Sequence, residues 1–148
     1  MLPDNDVIAK TVQSIAAESR RTQKPEFAMI GFCDRYLKWL HQTFGARDND
    51  FFVQSLIMAL RLANFELLPS PTLTYRKGVN SYALVPDIVV RTGSLETLIF
   101  IRKGPATQSQ KNDLRLALTN NNSAARQILA FFVDDQSVGW VLICPTLR

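Results

Sequence analysis

Two residues in the middle of the chain are of types that suit phosphate chemistry. Asp87 follows Pro86 inside an apolar, strand-like run, and Lys103 closes the next such run after Ile101 and Arg102. Hydrolysis of a phosphodiester uses a divalent cation that polarises the phosphoryl group and lowers the pKa of an attacking water. Magnesium takes oxygen ligands, commonly one or two carboxylates with water and substrate phosphate completing the shell. Two antiparallel strands that meet at a bend can project two carboxylates into one pocket. A lysine two positions beyond the second acid then lies on the same strand face. There its ammonium orients the nucleophile or stabilises developing negative charge. In this chain Ile101 stands two positions before Lys103.

Positioning those residues requires a sheet held between helices. Val7, Ile8, Val12, Ile15 and Ala16 fall on helical spacing from Asp4 to about Gln23, with Asp4 or Asn5 as the cap. Pro25 suits the first turn of a second helix, which Gly45 ends after Phe44. Its apolar residues, from Phe27 and Met29 to Trp39 and Leu40, cover more than one face. Such a helix is either sandwiched between neighbours or lies in a subunit contact. A third helix follows Asp48 or Asp50, either of which can cap it, and carries Phe52, Leu56 and Leu60. Strand-like runs come next, at Phe65 to Leu68 and Thr72 to Arg76, with a bend at the intervening prolines. A single strand is expected from Tyr82 to Val90, and another from Leu98 to Arg102. Turns are marked by Gly78 with Asn80 and by Gly93 with Ser94. Leu84, Ile88 and Val90 form one alternating set, and Val85 with Val89 the other. Both sets are apolar, so a helical layer should cover each face. Thr107 or Ser109 caps a helix bearing Leu114, Ala117 and Leu118, which stops among Asn120, Asn121 and Asn122. A buried strand, 127–133, follows in what should be a right-handed crossover, and a closing strand spans 138–144.

Composition bounds the function classes. The chain has 148 residues, enough for one domain with a core that needs no metal or disulfide staple. No apolar run reaches the length of a membrane span, and the first residues lack a signal-peptide core. A cytoplasmic location without membrane contact is therefore expected. Cys33 and Cys144 lie far apart in apolar surroundings and read as reduced, buried thiols. Seventeen basic against thirteen acidic residues leave a net charge of +4, which permits contact with nucleic acid without demanding it. Basic clusters lie at Arg20, Arg21 and Lys24, at Arg76 with Lys77, and at Arg102 with Lys103. His41, the sole histidine, reads as a partly buried helix residue. One histidine cannot build a histidine-based zinc site without carboxylates or both cysteines. Nothing around it supports a Ser-His-Asp or Cys-His arrangement.

The element order from Asp48 onward, α-β-β-β-α-β with one more strand, carries an acid on the second strand and a lysine ending the third. With Pro86-Asp87 and Ile101-Arg102-Lys103 in those places, the chain resembles the PD-(D/E)XK nuclease superfamily over about residues 48–133. The resemblance implies a restriction-endonuclease-like α/β core, a mixed sheet sandwiched by helices, with residues 1–45 as a helical extension packed on the 46–148 core. It implies catalytic roles for Asp87 and Lys103, with Asp87 as a magnesium ligand if the chain is active. Gln108 or Gln110 corresponds to a glutamine that recurs on the following helix in parts of the family. The family has Asp or Glu where this chain has Ile101, a departure that counts against metal-dependent cleavage. Glu96 sits on the opposite alternation; Asp48, Asp50, Glu66 and Asp113 are the other acids that could supply the missing ligand.

Three functions follow. The first is a nuclease fold without cleavage that binds DNA or RNA through phosphate contacts from Arg76, Lys77, Arg102, Lys103 and Lys111, with no cofactor. The second is an active, magnesium-dependent endonuclease with a relocated acid. The third is a non-catalytic scaffold that forms a homodimer or binds a partner through the 25–44 helix.

Overall fold

Glycines and prolines punctuate the sheet, and apolar runs fill it. The computed structural model describes residues 5–22, 25–121 and 125–145. Three helices lead: α1 (Asn5–Thr22), α2 (Pro25–Phe44) and α3 (Asn49–Leu62). Five strands follow, β1 (Glu66–Leu68), β2 (Leu73–Lys77), β3 (Asn80–Leu84), β4 (Ile88–Thr92) and β5 (Leu95–Lys103). Helix α4 (Gln108–Asn120) leads to β6 (Arg126–Val133) and β7 (Val138–Ile143). The main sheet has the order β1-β4-β5-β6-β7, and β2 pairs with β3 in a separate two-stranded sheet. Only β5 and β6 run parallel, with α4 as their connection. The protein is thus mixed α/β.

Local chemistry accounts for the boundaries. Gly45 closes α2 with φ +76° and donates its amide to the His41 carbonyl at 2.8 Å, a left-handed stop that glycine adopts without a Cβ penalty. Asp48 caps α3 by accepting from the Phe51 amide at 2.9 Å, an arrangement worth about 1 kcal/mol. Thr107 and Gln110 form a reciprocal capping box at the start of α4. The Asp4 cap, Lys24 and Asn122 lie outside the described residues, and the side chains of Arg20 and Arg21 are likewise outside the description.

Both faces of the main sheet are covered. Helices α1 to α3 pack Ile8, Met29, Phe32, Leu37, Phe52 and Leu56 against Ile88, Val90, Ile99, Ile101 and Phe131. Helix α2 is therefore sandwiched, the first of its two options. The other face meets Leu114, Ala117 and Leu118 of α4 together with Leu73 and Tyr75 of the β2–β3 hairpin. A hairpin shares the work expected of a helical layer there.

Three expectations are corrected. The run 82–90 is not one strand: β3 ends at Leu84 and β4 begins at Ile88. Pro86 cannot donate to a ladder, and the chain bends there from the hairpin into the main sheet. The bend also breaks the expected alternation. Leu84 packs with the α4 cluster, opposite to Ile88, and Val85 is exposed. Cys144 is exposed although Cys33 is buried, because it falls one residue past the end of β7; both thiols are free.

Candidate functional site

Asp87 lies in the bend just before β4, where its amide donates to the Ile99 carbonyl at 2.9 Å and so prolongs the β4–β5 ladder. This main-chain anchor fixes the carboxylate against β5. Its Oδ2 accepts from the Ile101 amide at 2.8 Å and from Arg102 Nη1 at 2.9 Å. The same Nη1 donates to the Ile101 carbonyl at 2.9 Å, and the guanidinium carbon lies 5.1 Å from the Phe100 ring centroid. Charge-assisted bonds of this kind are stronger than neutral ones. Arg102 is thus held from three sides. A guanidinium has five N–H donors; among the described residues, those on Nε and Nη2 have no partner.

The two halves of the motif divide between the sheet faces. Ile101 is fully buried against the three-helix layer, and its β6 partner Phe131 belongs to the same core. Lys103 pairs in register with Val133, of that same core, but its side chain is exposed. It makes no ion pair among the described residues. Arg102 pairs with Phe132 and shares the α4 face with Phe100. Asp87 is brought to Arg102, the residue between the two motif positions, and makes no contact with Lys103.

The acids that could supply the missing ligand lie away from Asp87 or are engaged elsewhere. Asp48 is the α3 cap. Asp50 is exposed in the first turn of α3. Asp113 binds Lys77 at 3.0 Å, and this hydrogen bond, with the charge behind it, raises the Lys77 ammonium above its ordinary value. The pair ties the hairpin to α4. Glu66 and Glu96 belong to a ladder at the far end of the sheet. Glu66, Arg91, Glu96 and Arg126 are successive cross-strand partners on β1, β4, β5 and β6. Their ion pairs measure 3.8, 3.7 and 3.2 Å.

A divalent ion finds a poor donor set at Asp87. One carboxylate oxygen already faces an amide and a guanidinium, the expected second acid is a core isoleucine, and among the described residues no three His, Cys, Asp or Glu side chains converge. The residues do not fit the group.

They do form a pocket. Leu84, Phe100, Leu114 and Phe132 make its apolar walls, and Arg102, Gln110 and Asp113 supply polar groups. It opens near the carboxyl ends of the parallel pair β5 and β6, where ligands of α/β sheets commonly bind. The Gln110 carbonyl oxygen is engaged by Thr107, and its amide nitrogen has no partner among the described residues. Gln108 is bonded instead to Asn112 at 2.9 Å on the exposed side of α4. Arg76 is exposed on the hairpin and Lys111 half-buried on α4; neither has an ion pair among the described residues. His41 is half-buried, its Nε2 2.8 Å from the Asp134 carbonyl oxygen, joining α2 to the β6–β7 turn.

One feature that the sequence reading passed over is an aromatic pair. Tyr75 and Tyr82, direct partners across the hairpin, stack with centroids 5.5 Å apart and planes 24° apart. Tyr82 remains 43% exposed, with the Lys77 ammonium 6.0 Å from its ring centroid. The signal was present as Tyr-x6-Tyr across a two-residue turn, but it emerges only once the hairpin register is fixed.

No family model and no curated protein matches the chain. Among solved structures, the crystal structure of SSO0001 aligns with a TM-score of 0.45 and 13% identity, over 97% of this chain and 80% of that one. A likeness of that size assigns no activity.

Among the described residues no helix is long and apolar enough to cross a membrane.

Proposed function

We propose that the chain is a nuclease-fold protein, similar in its core to the PD-(D/E)XK superfamily, that has lost cleavage and binds nucleic acid. Within the main sheet the order α3-β1-β4-β5-α4-β6 gives α-β-β-β-α-β once the β2–β3 hairpin is set aside as an excursion. That element order supports the kinship; Asp87 and Lys103, which fall on opposite faces of the sheet, add nothing to it. The observation that carries the functional reading is the Asp87–Arg102 pair at 2.9 Å. An acid that would hold a cation holds an arginine, and that arginine lines the pocket. Guanidinium groups suit phosphate and base edges alike. Arg76, Lys103 and Lys111, without ion pairs among the described residues, add positive charge for phosphate contacts. A homodimer through α2 gains less support, because Met29, Phe32, Cys33, Tyr36, Leu37 and Leu40 of that helix are buried within the chain.

Fluorescence anisotropy with a labelled oligonucleotide tests this reading. Affinity should fall linearly on a log–log plot against salt, by about 0.7 to 0.9 per phosphate neutralised, and should not require magnesium. Absence of binding at low salt contradicts it and favours the scaffold.

A further inference from the structure

We infer that the pocket beside Arg102 receives an unpaired nucleobase, so that the ligand is single-stranded nucleic acid rather than duplex. The inference rests on the proposed binding of nucleic acid and narrows it. Tyr82 and Leu84 point to the same side of β3, as residues two apart on a strand must. Tyr82 stacks on Tyr75 and keeps part of its ring exposed, while Leu84 forms a wall of the pocket. Their spacing along the strand is about 6.6 Å, close to one nucleotide step of an extended strand. One base can lie on the Tyr82 ring while its neighbour enters the pocket between Leu84 and Arg102.

The pocket has the chemistry for a base and not merely for an apolar side chain. Leu84, Phe100, Leu114 and Phe132 give it apolar walls that take the flat faces of a ring, Gln110 and Arg102 offer donors, and Asp113 offers an acceptor. Base edges carry donors and acceptors in the plane of an otherwise apolar ring. Stacking on aromatic side chains beside a basic groove is how single strands are held without sequence preference. A duplex hides its base faces and cannot use either surface. The Arg102 guanidinium on the pocket wall, with Lys111 next to Gln110 on α4, complements the strand's phosphates, which favours this occupant over a hydrophobic peptide.

The test compares one labelled 20-mer as a single strand and as a duplex, at equal salt, with the full chain. A second single strand carries 2-aminopurine, whose fluorescence is quenched on stacking. The single strand should bind about tenfold or more tightly than the duplex. Tyr82→Ala should weaken it about five- to fiftyfold and abolish the quench, while Tyr82→Phe, which keeps the ring, should restore both. Lys103→Ala should weaken single strand and duplex alike. Duplex bound as tightly as single strand, with Tyr82→Ala unchanged, overturns the base pocket and leaves the proposed function standing. If neither form binds, both readings fall.

Discussion

The two ends of the main sheet handle charge in opposite ways. At one end Glu66, Arg91, Glu96 and Arg126 face each other across four strands, so each arginine has a carboxylate on a neighbouring strand. Just inside that row, Gln127 donates to Thr97 at 3.0 Å, again between direct partners. Cross-strand pairs of this kind hold a register. At the other end Asp87 pairs with Arg102 and Asp113 with Lys77, while Lys103 has no ion pair among the described residues. The first end consumes its charges internally. The second leaves the Nε and Nη2 donors of Arg102 without partners among the described residues, in a side chain that lines a pocket, and spare donors are what an anionic partner can use. Under the proposed function a structural role and a binding role are separated along the same strand, β5, which contributes Glu96 to one and Arg102 to the other.

The largest effect expected from disturbing this contrast comes from placing at position 101 the acid that the PD-(D/E)XK motif carries. Ile101→Glu places a carboxylate in a fully buried position against the three-helix layer. Chemical denaturation should show a loss of about 3 kcal/mol or more, since an unpaired buried charge is that costly. No magnesium-dependent recovery of stability is expected. A smaller loss, about 1 to 3 kcal/mol, should follow Arg102→Ala, which strips Asp87 of its charged donor. The same variant should lose most nucleic-acid affinity. Smallest is Glu96→Gln at the opposite end. It removes the countercharge of Arg91 and Arg126 and should cost about 0.5 to 1 kcal/mol in urea unfolding, with affinity for nucleic acid unchanged. If Glu96→Gln abolished binding, the division between the two ends would be wrong.

Much of the scaffold was readable from sequence because local rules decide it. Asp48, Thr107 and Gly45 act at helix ends through bonds to residues three or four away. Glycine-led turns at Gly78 and Gly93 set both hairpins. What escaped was whatever depends on the path between elements. The reorientation at Pro86 sends Leu84 and Ile88 to opposite clusters, a change that an unbroken two-residue period cannot announce. The ladder through Glu66 and Glu96 requires the register of four strands at once. For the site, Asp87 and Lys103 stand out by type and place, yet the contact that matters runs to Arg102, the residue the motif leaves unspecified. That choice follows from which β5 donors lie beside the bend, not from spacing alone.

Incubation of end-labelled DNA and RNA with magnesium or manganese, using the native chain and Asp87→Asn in parallel, tests the central claim most directly. The account predicts intact strands with both proteins and weaker binding by Asp87→Asn, because Arg102 has lost its charged anchor. Metal-dependent cleavage by the native chain that disappears in Asp87→Asn would show the carboxylate serving an ion, and would contradict its role as the support of an arginine.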